Sequence, residues 1–348
     1  MNSEILNLPT ILDVMEELAK EEVNESLGRI GINFLKTEPN TYTMITKETG
    51  KNIPILFPNS ANPFLFFRGQ NQFYENCVPT IYKVPNGMTD DDFFIISRIK
   101  TMEFIRIIKN HPVLKDFNNN FYVDFLALAQ HYAFPTEYLD VTNDKWVAAF
   151  FACTRVENGQ YYPVDCDFRD GVGVLYISLP KEQQIGLNND IFDKLTTIGF
   201  QYFKHPSNQS SFYYKLNKDE SFNDSKYFRM IRFRHDITAS NVIFNMAYNK
   251  HRFIPDDHLT EIANKVLDKS YQFSIQSIVE AKEYFNINES LEEIQIILRK
   301  HNILWHNSPK TNIEYDLFIM NKEWDEWNKY GRTDLMRKIN PILPIISL

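Results

Sequence analysis

Gln130-His131-Tyr132-Ala133-Phe134-Pro135-Thr136-Glu137-Tyr138-Leu139-Asp140-Val141-Thr142 runs through Asn143-Asp144-Lys145 into an apolar stretch, Trp146 to Cys153. Upstream, Phe121 to Tyr132 has helical spacing, with Phe121, Phe125, Leu128 and Tyr132 on one stripe. Pro135 cannot continue that helix and pushes the residue before it out of the helical region. An extended segment over Thr136 to Val141 should follow. Thr142 is the expected N-cap of a second helix, with Asp144 in its first turn where the dipole favours an acid. That second helix is apolar all round from Trp146 to Ala152, so it should be buried. Buried flanks would hold His131, Thr136, Asp140 and Thr142 in fixed places, which makes this stretch the best site candidate in the chain.

Working outward, 348 residues allow one large domain or two small ones. The chain is 43% hydrophobic, with 28 Phe and 18 Tyr, enough for a large aromatic core. A net charge of -8 argues against broad nucleic-acid binding driven by counterion release, though not against a local basic patch. Cys77, Cys153 and Cys166 form no CxxC pair and have no His at metal-ligand spacing, so neither a zinc site nor a disulfide framework is expected. No secretion signal is expected in Met1 to Thr10, and no apolar run approaches ~18 residues. A cytoplasmic protein with no membrane association is the expectation.

Ile11, Val14, Met15 and Leu18 form a helical stripe, in a helix that should end near Gly28. Thr41 to Thr46 and Ile53 to Phe57 read as short strands around a Lys47 to Asn52 turn, with a loop over Asn59 to Pro63. Phe64 to Arg68 is a β-prone run that stops at Gly69. A helix over Asp92 to Lys109 follows, its acids Asp90, Asp91 and Asp92 at the N-terminus and Thr89 as cap. Val172 to Ile177 reads as a buried strand, and Asn241 to Tyr248 as another strand. From residue 256 onward the spacing is helical, as in Leu259, Ile262, Ala263 and Val266. The expected fold is α+β, with a mixed or antiparallel sheet core, flanking helices and a helical C-terminal part over 256–348. Residues 1–57 should pack on the core as a helix and strands.

Phe67-Arg68-Gly69-Gln70 resembles the (Phe/Tyr)-Arg-Gly signature of the FRG domain family, and Cys77-Val78-Pro79-Thr80-Ile81-Tyr82-Lys83 resembles the segment that follows it there. The central stretch is similar to the family's second motif, Gln-His-Tyr-Gly-Leu-Pro-Thr-Arg-Leu-Leu-Asp-Trp-Thr, and to the Ala-rich helix ending in Phe-Phe-Ala. The likeness spans 58–250. This chain departs from the pattern at Ala133 for glycine, Glu137 for arginine and Val141 for tryptophan, as a divergent member would. Glu137 replaces a bidentate cation with an acid, so a ligand contact made there is not inherited.

More distantly, the order of an Arg at a strand end, an extended segment with Thr and a helix closing in Phe-Ala is similar to that of NAD-using ADP-ribosyltransferases. That likeness implies an ADP-ribosyltransferase-like sheet, with Arg68 on a phosphate or ribose and Asp140-Val141-Thr142 where such enzymes carry Ser-Thr-Ser. Breaking the bond between nicotinamide and ribose develops oxocarbenium character and needs a carboxylate near the ribose. Arg68, His131 and Asp140 are the candidate catalytic residues. Arg68, Gly69, Gln70, Tyr132, Thr136 and Thr142 are the candidate ligand contacts, with NAD as substrate and no metal. The late-strand Glu of such transferases has no counterpart over Arg229 to Asp236, where Asp236 is the nearest acid.

Two functions remain open on these residues. One is a mono-ADP-ribosyltransferase or NAD glycohydrolase acting as a toxin or defence effector, with a small nucleotide as ligand and a protein or nucleic acid as acceptor. The other is a non-catalytic FRG-type module that binds a nucleotide or partner protein. Structural roles are also open: Arg68 in an ion pair with Asp140, His131 as a capping hydrogen-bonder, and Lys226, Arg229, Arg232 and Arg234 as a solvated face.

Overall fold

A computed structural model describes residues 3–28, 41–46, 53–58, 65–179, 194–198, 204–247, 251–255, 257–313 and 317–340. The expected turn at 47–52 and loop at 59–63 therefore lie outside the described residues. The fold is α+β. Its centre is a six-stranded sheet in which every neighbouring pair is antiparallel.

Strands β1 (Tyr42–Thr46) and β2 (Pro54–Pro58) form a hairpin. They join the C-terminal Ile339–Asn340 in a separate small sheet. The central sheet takes β3 (Phe67–Gln70) and β4 (Tyr138–Thr142), and a second hairpin pairs β5 (Thr154–Glu157) with β6 (Gln160–Pro163). Adding β7 (Val172–Ser178), β8 (Leu195–Thr197), β9 (Ser211–Lys215) and β10 (Phe228–Arg234) completes the order β10-β7-β3-β4-β9-β8. All seven residues of β7 are buried, as a strand covered on both faces must be. One face of the sheet carries a cluster of Phe66, Leu139, Val141, Val174, Tyr176 and Phe212. The alternate residues Phe67, Leu175 and Ile177 pack on the opposite face against helices, following the two-residue period of strands.

Helices α1 (Ser3–Leu6) and α2 (Ile11–Gly28) open the chain, and α2 buries Ile11, Val14, Met15 and Leu18 in the cluster beneath β3 and β7. Helix α3 (Asp90–Lys109) is capped by Thr89, whose hydroxyl accepts from the Asp92 amide at 3.1 Å. After α4 (Pro112–Asn118) comes α5 (Phe125–His131), which begins four residues later than the apolar stripe suggests. Asp124 sets that start by accepting from the Ala127 amide at 2.9 Å. Helix α6 (Lys145–Ala152) is likewise capped by Asp144 rather than Thr142, because the Asp144 carboxylate accepts from the Trp146 amide at 2.8 Å. The Thr142 hydroxyl instead accepts from the Asp144 amide at 3.0 Å, two residues earlier. Phe150 and Ala152 in α6 are fully buried, while Trp146 and Phe151 are only half-buried.

The α7 turn (Lys204–Asn208) precedes β9. Over Asn241 to Met246 the expected strand is a helix, α8 (Ile237–Met246). Asp236 caps it through the Ala239 amide at 2.9 Å, and Ala239, Ile243 and Ala247 then repeat every four residues on the buried side. Beyond it lie α9 (His258–Leu267), α10 (Ile275–Tyr284) and α11 (Leu291–Lys300), with a short parallel pair, β11 (Gln272–Ser274) and β12 (Leu304–His306). Leu259, Ile262, Ile278, Ile294 and Leu298 from these helices share one core with Ile99, Phe104 and Ile108 of α3. The last helices, α12 (Leu317–Glu326) and α13 (Arg332–Lys338), are joined by a π-helical turn over Trp327–Gly331, and Trp327 and Leu335 pack against Leu56 and Val113. Among the described residues no helix is long and apolar enough to cross a membrane.

Candidate functional site

β3 and β4 are registered at a single pair, Phe67 with Thr142, and part beyond it. Arg68 spans the split: its Nη1 donates to the Asp140 carbonyl at 2.6 Å. In place of the Arg68–Asp140 ion pair that the sequence left open, Arg68 contacts the main chain, and the Asp140 carboxylate faces outward from the strand. A cavity of about 530 Å³ opens over this split. Arg68, Gly69, Gln70, Tyr132, Asp140 and Thr142 all line it, together with His131. Residues separated by more than sixty positions therefore meet in one cleft.

Gly69 is there for close approach. A Cβ at this position would stand 1.8 Å from the Ala148 carbonyl oxygen, so only glycine lets the α6 backbone lie against β3. Gln70 donates through Nε2 to the Cys77 sulfur at 3.1 Å, which ties the strand to the segment after it. Thr142 donates to the Gln209 carbonyl at 2.7 Å. Thr136 does not line the cleft. It is fully buried and donates to Gln130 Oε1 at 2.5 Å, because the bend after Pro135 needs its hydroxyl inside. His131 Nδ1 lies 3.1 Å from the Tyr213 hydroxyl, which burial and the nearby Asp140 carboxylate keep protonated well above the usual phenol range.

Asp140 lies on the floor of the cleft, and its side chain is exposed to the cavity. Desolvation pushes its carboxyl above the ordinary carboxylate value, against the opposing pull of the Arg68 guanidinium and a hydrogen bond from Gln130. It is the one carboxylate among the described lining residues. Lys83 adds a second cation beside Arg68 and stands 5.5 Å from the centre of the Tyr74 ring. Desolvation holds its ammonium below the usual lysine value, and the Arg68 charge lowers it further. Asn71, on the rim, donates to the Thr154 carbonyl at 2.7 Å and receives the buried His235 ring at 2.9 Å on its own carbonyl.

Glu137 turns away from the cleft. Arg98 Nη2 donates to its carboxylate at 2.7 Å, and the Arg98 guanidinium lies 4.7 Å and 4.4 Å from the rings of Phe94 and Phe285. An acid at 137 is thus matched by a buried cation on α3. Asp236 is also outside the cleft, occupied as the α8 cap and by Arg234 at 3.4 Å. Arg232 lies 5.3 Å from the Phe73 ring, and Arg229 and Arg232 are exposed on β10.

Sequence reasoning missed the far wall. Thr260, Ala263 and Asn264 of α9 line the cleft, as does Gln209 before β9. Their only local signal is that Thr260 and Asn264 lie four apart, beside the buried stripe of Leu259, Ile262 and Val266. The Tyr132 hydroxyl donates to Asp257 at 2.8 Å, joining α5 to the N-terminus of α9. Among the described residues no group of His, Cys, Asp and Glu is arranged to hold a metal ion.

The chain matches no curated protein and no solved structure. Residues 64–160 match the family model of the FRG domain. That segment holds β3, the Gln130 to Thr142 stretch and α6, so the walls that carry Arg68 and Asp140 lie within the stretch that is similar to the FRG domain.

Proposed function

We propose that this FRG-domain protein binds a nucleotide of the NAD type in the Arg68–Asp140 cleft and breaks its nicotinamide–ribose bond, transferring the ADP-ribosyl group to water or to a protein or nucleic-acid acceptor. The observation that carries this is one open cavity of ligand size, about 530 Å³, with a guanidinium and an accessible carboxylate on its floor. Arg68 presents a permanently charged fork suited to phosphate oxygens, and Lys83 adds a point charge beside it. Tyr132, Tyr74 and Phe151 supply aromatic surface for a base or for nicotinamide. As the glycosidic C–N bond breaks, nicotinamide leaves with the electron pair and positive charge grows on the ribose. Asp140 in its ionised form lies where a carboxylate can stabilise that charge.

Turnover should then rise with pH through the raised value of Asp140, since only the carboxylate serves. Product analysis of NAD incubated with purified protein tests the proposal. Wild type should release nicotinamide, Arg68→Ala should not, and Arg68→Lys should restore part of the rate. A wild type that binds NAD and leaves it intact would establish the second function, a non-catalytic nucleotide-binding module. The presence of a single carboxylate in the described lining favours that alternative.

A further inference from the structure

The cleft is not built by the FRG segment alone. Its floor and one wall come from β3, β4 and α6, whereas Thr260, Ala263 and Asn264 come from α9, about a hundred residues beyond the end of that segment. Helix geometry accounts for the division of labour along α9. Leu259, Ile262 and Val266 bury against α3, and the adjoining stripe at 260, 263 and 264 faces the cavity. Within that stripe Ala263 is buried, and the Thr260 hydroxyl donates to the cap residue Asp257 at 3.1 Å. Asn264 is different. It is exposed in the wall, and its carboxamide makes no hydrogen bond among the described residues. Asp257 fixes the position of the helix twice, by capping α9 through the Thr260 amide at 3.0 Å and by accepting from Tyr132 of the FRG segment at 2.8 Å.

We infer that the site is composite and that Asn264 is its specificity-determining residue, recognising the neutral, hydrogen-bonding part of a nucleotide while Arg68 and Lys83 hold its phosphates. A carboxamide offers two donors and an acceptor at fixed spacing, the complement of a base edge or a ribose diol, and has no charge with which to attract phosphate. The two cations are blind to the base. Discrimination among phosphate-bearing ligands therefore falls to the α9 wall, and the Tyr132–Asp257 hydrogen bond keeps that wall in place. The inference rests on the nucleotide-binding proposal.

Calorimetry with two probes, NAD and inorganic pyrophosphate, separates the roles. Asn264→Ala should weaken NAD at least about tenfold, the loss of one or two hydrogen bonds, and leave pyrophosphate unchanged. Arg68→Ala should weaken both. Lys265→Ala, on the outer face of the same helix in an ion pair with Glu261, should change neither. Asn264 is solvent-exposed and alanine favours a helix, so the Asn264→Ala fold should persist, with an unaltered thermal midpoint. NAD affinity equal to wild type in Asn264→Ala would overturn the inference and leave the proposed function standing. Equal weakening of both probes would also overturn it, since the wall would then act only by shape. A wild type that binds neither probe would remove the nucleotide site, and with it both proposals.

Discussion

Two clusters of charged side chains lie against α3 and the sheet, and they end differently. In the first, Glu103 is fully buried and accepts from the Tyr271 hydroxyl at 2.7 Å, the Ser274 amide at 3.2 Å and the Ser274 hydroxyl at 3.1 Å. Arg106 donates to the Ser277 hydroxyl at 2.8 Å and the Pro309 carbonyl at 2.7 Å, and pairs with Glu280 at 3.2 Å. These groups partner one another through Ser274 and Ser277, and the network closes on itself. In the second, among the described residues Arg68 hydrogen-bonds only to a carbonyl, and the Asp140 carboxylate and Lys83 open onto a cavity. A closed network fixes where the C-terminal helices dock on α3. An open one leaves charge for something else to satisfy, which is why the cleft and not the buried network is the functional candidate.

The difference can be broken at four places. Glu103→Ala should have the largest effect on stability, a loss of about 3–5 kcal/mol in chemical denaturation, because it strands the Tyr271 hydroxyl and the Ser274 amide and hydroxyl without their acceptor. A loss below about 1 kcal/mol would mean that the network does not hold the C-terminal helices. Arg68→Ala should instead cost about 1–2 kcal/mol of stability, one charged hydrogen bond to a carbonyl, while weakening NAD binding by about 10- to 100-fold. If the variant unfolds, Arg68 belongs with Glu103 as a structural residue.

Asp140→Asn sharpens the contrast further. The folded-state value of Asp140 is raised, so its carboxylate opposes folding above that value and the penalty lifts as pH falls through it. The asparagine variant should therefore melt at or above the wild-type temperature at neutral pH, yet lose NAD turnover. A clear fall in melting temperature would instead make Asp140 a partner that the fold depends on.

His235 should show the smallest effect. Burial holds its imidazole below the ordinary value of 6.5, against the hydrogen bond to Asn71 and the charges of Asp170 and Asp165. The folded protein binds that proton less readily than the unfolded chain. The stability it contributes is complete above 6.5 and is lost as pH drops through that value toward the lower folded one. His235→Gln should flatten the decline of melting temperature on acidification, and an unchanged slope would assign the decline to other groups.

The central stretch was legible because its signals are local. Pro135 ends a helix, the alternation at Tyr138 to Thr142 makes a strand, and the run after Asp144 makes a helix with a buried face. Where two capping residues competed, sequence alone chose the wrong one: Thr142 and Asp144 are both good caps, and only the backbone geometry decides. Over Asn241 to Met246, β-branched and aromatic residues suggested a strand, and the Asp236 cap with burial of Ile243 overrode that propensity. Long-range partners left no trace. Arg98 answers Glu137 from thirty-nine residues away, and α9 reaches the cleft from far beyond the motifs.

The most direct measurement is a crystal structure of the wild-type protein soaked with NAD at neutral pH. The account predicts density in the Arg68–Asp140 cleft, with phosphate oxygens on the Arg68 guanidinium and the ribose against Asp140. An empty cleft at saturating NAD, or NAD bound elsewhere with Arg68 still turned to the Asp140 carbonyl alone, would contradict it.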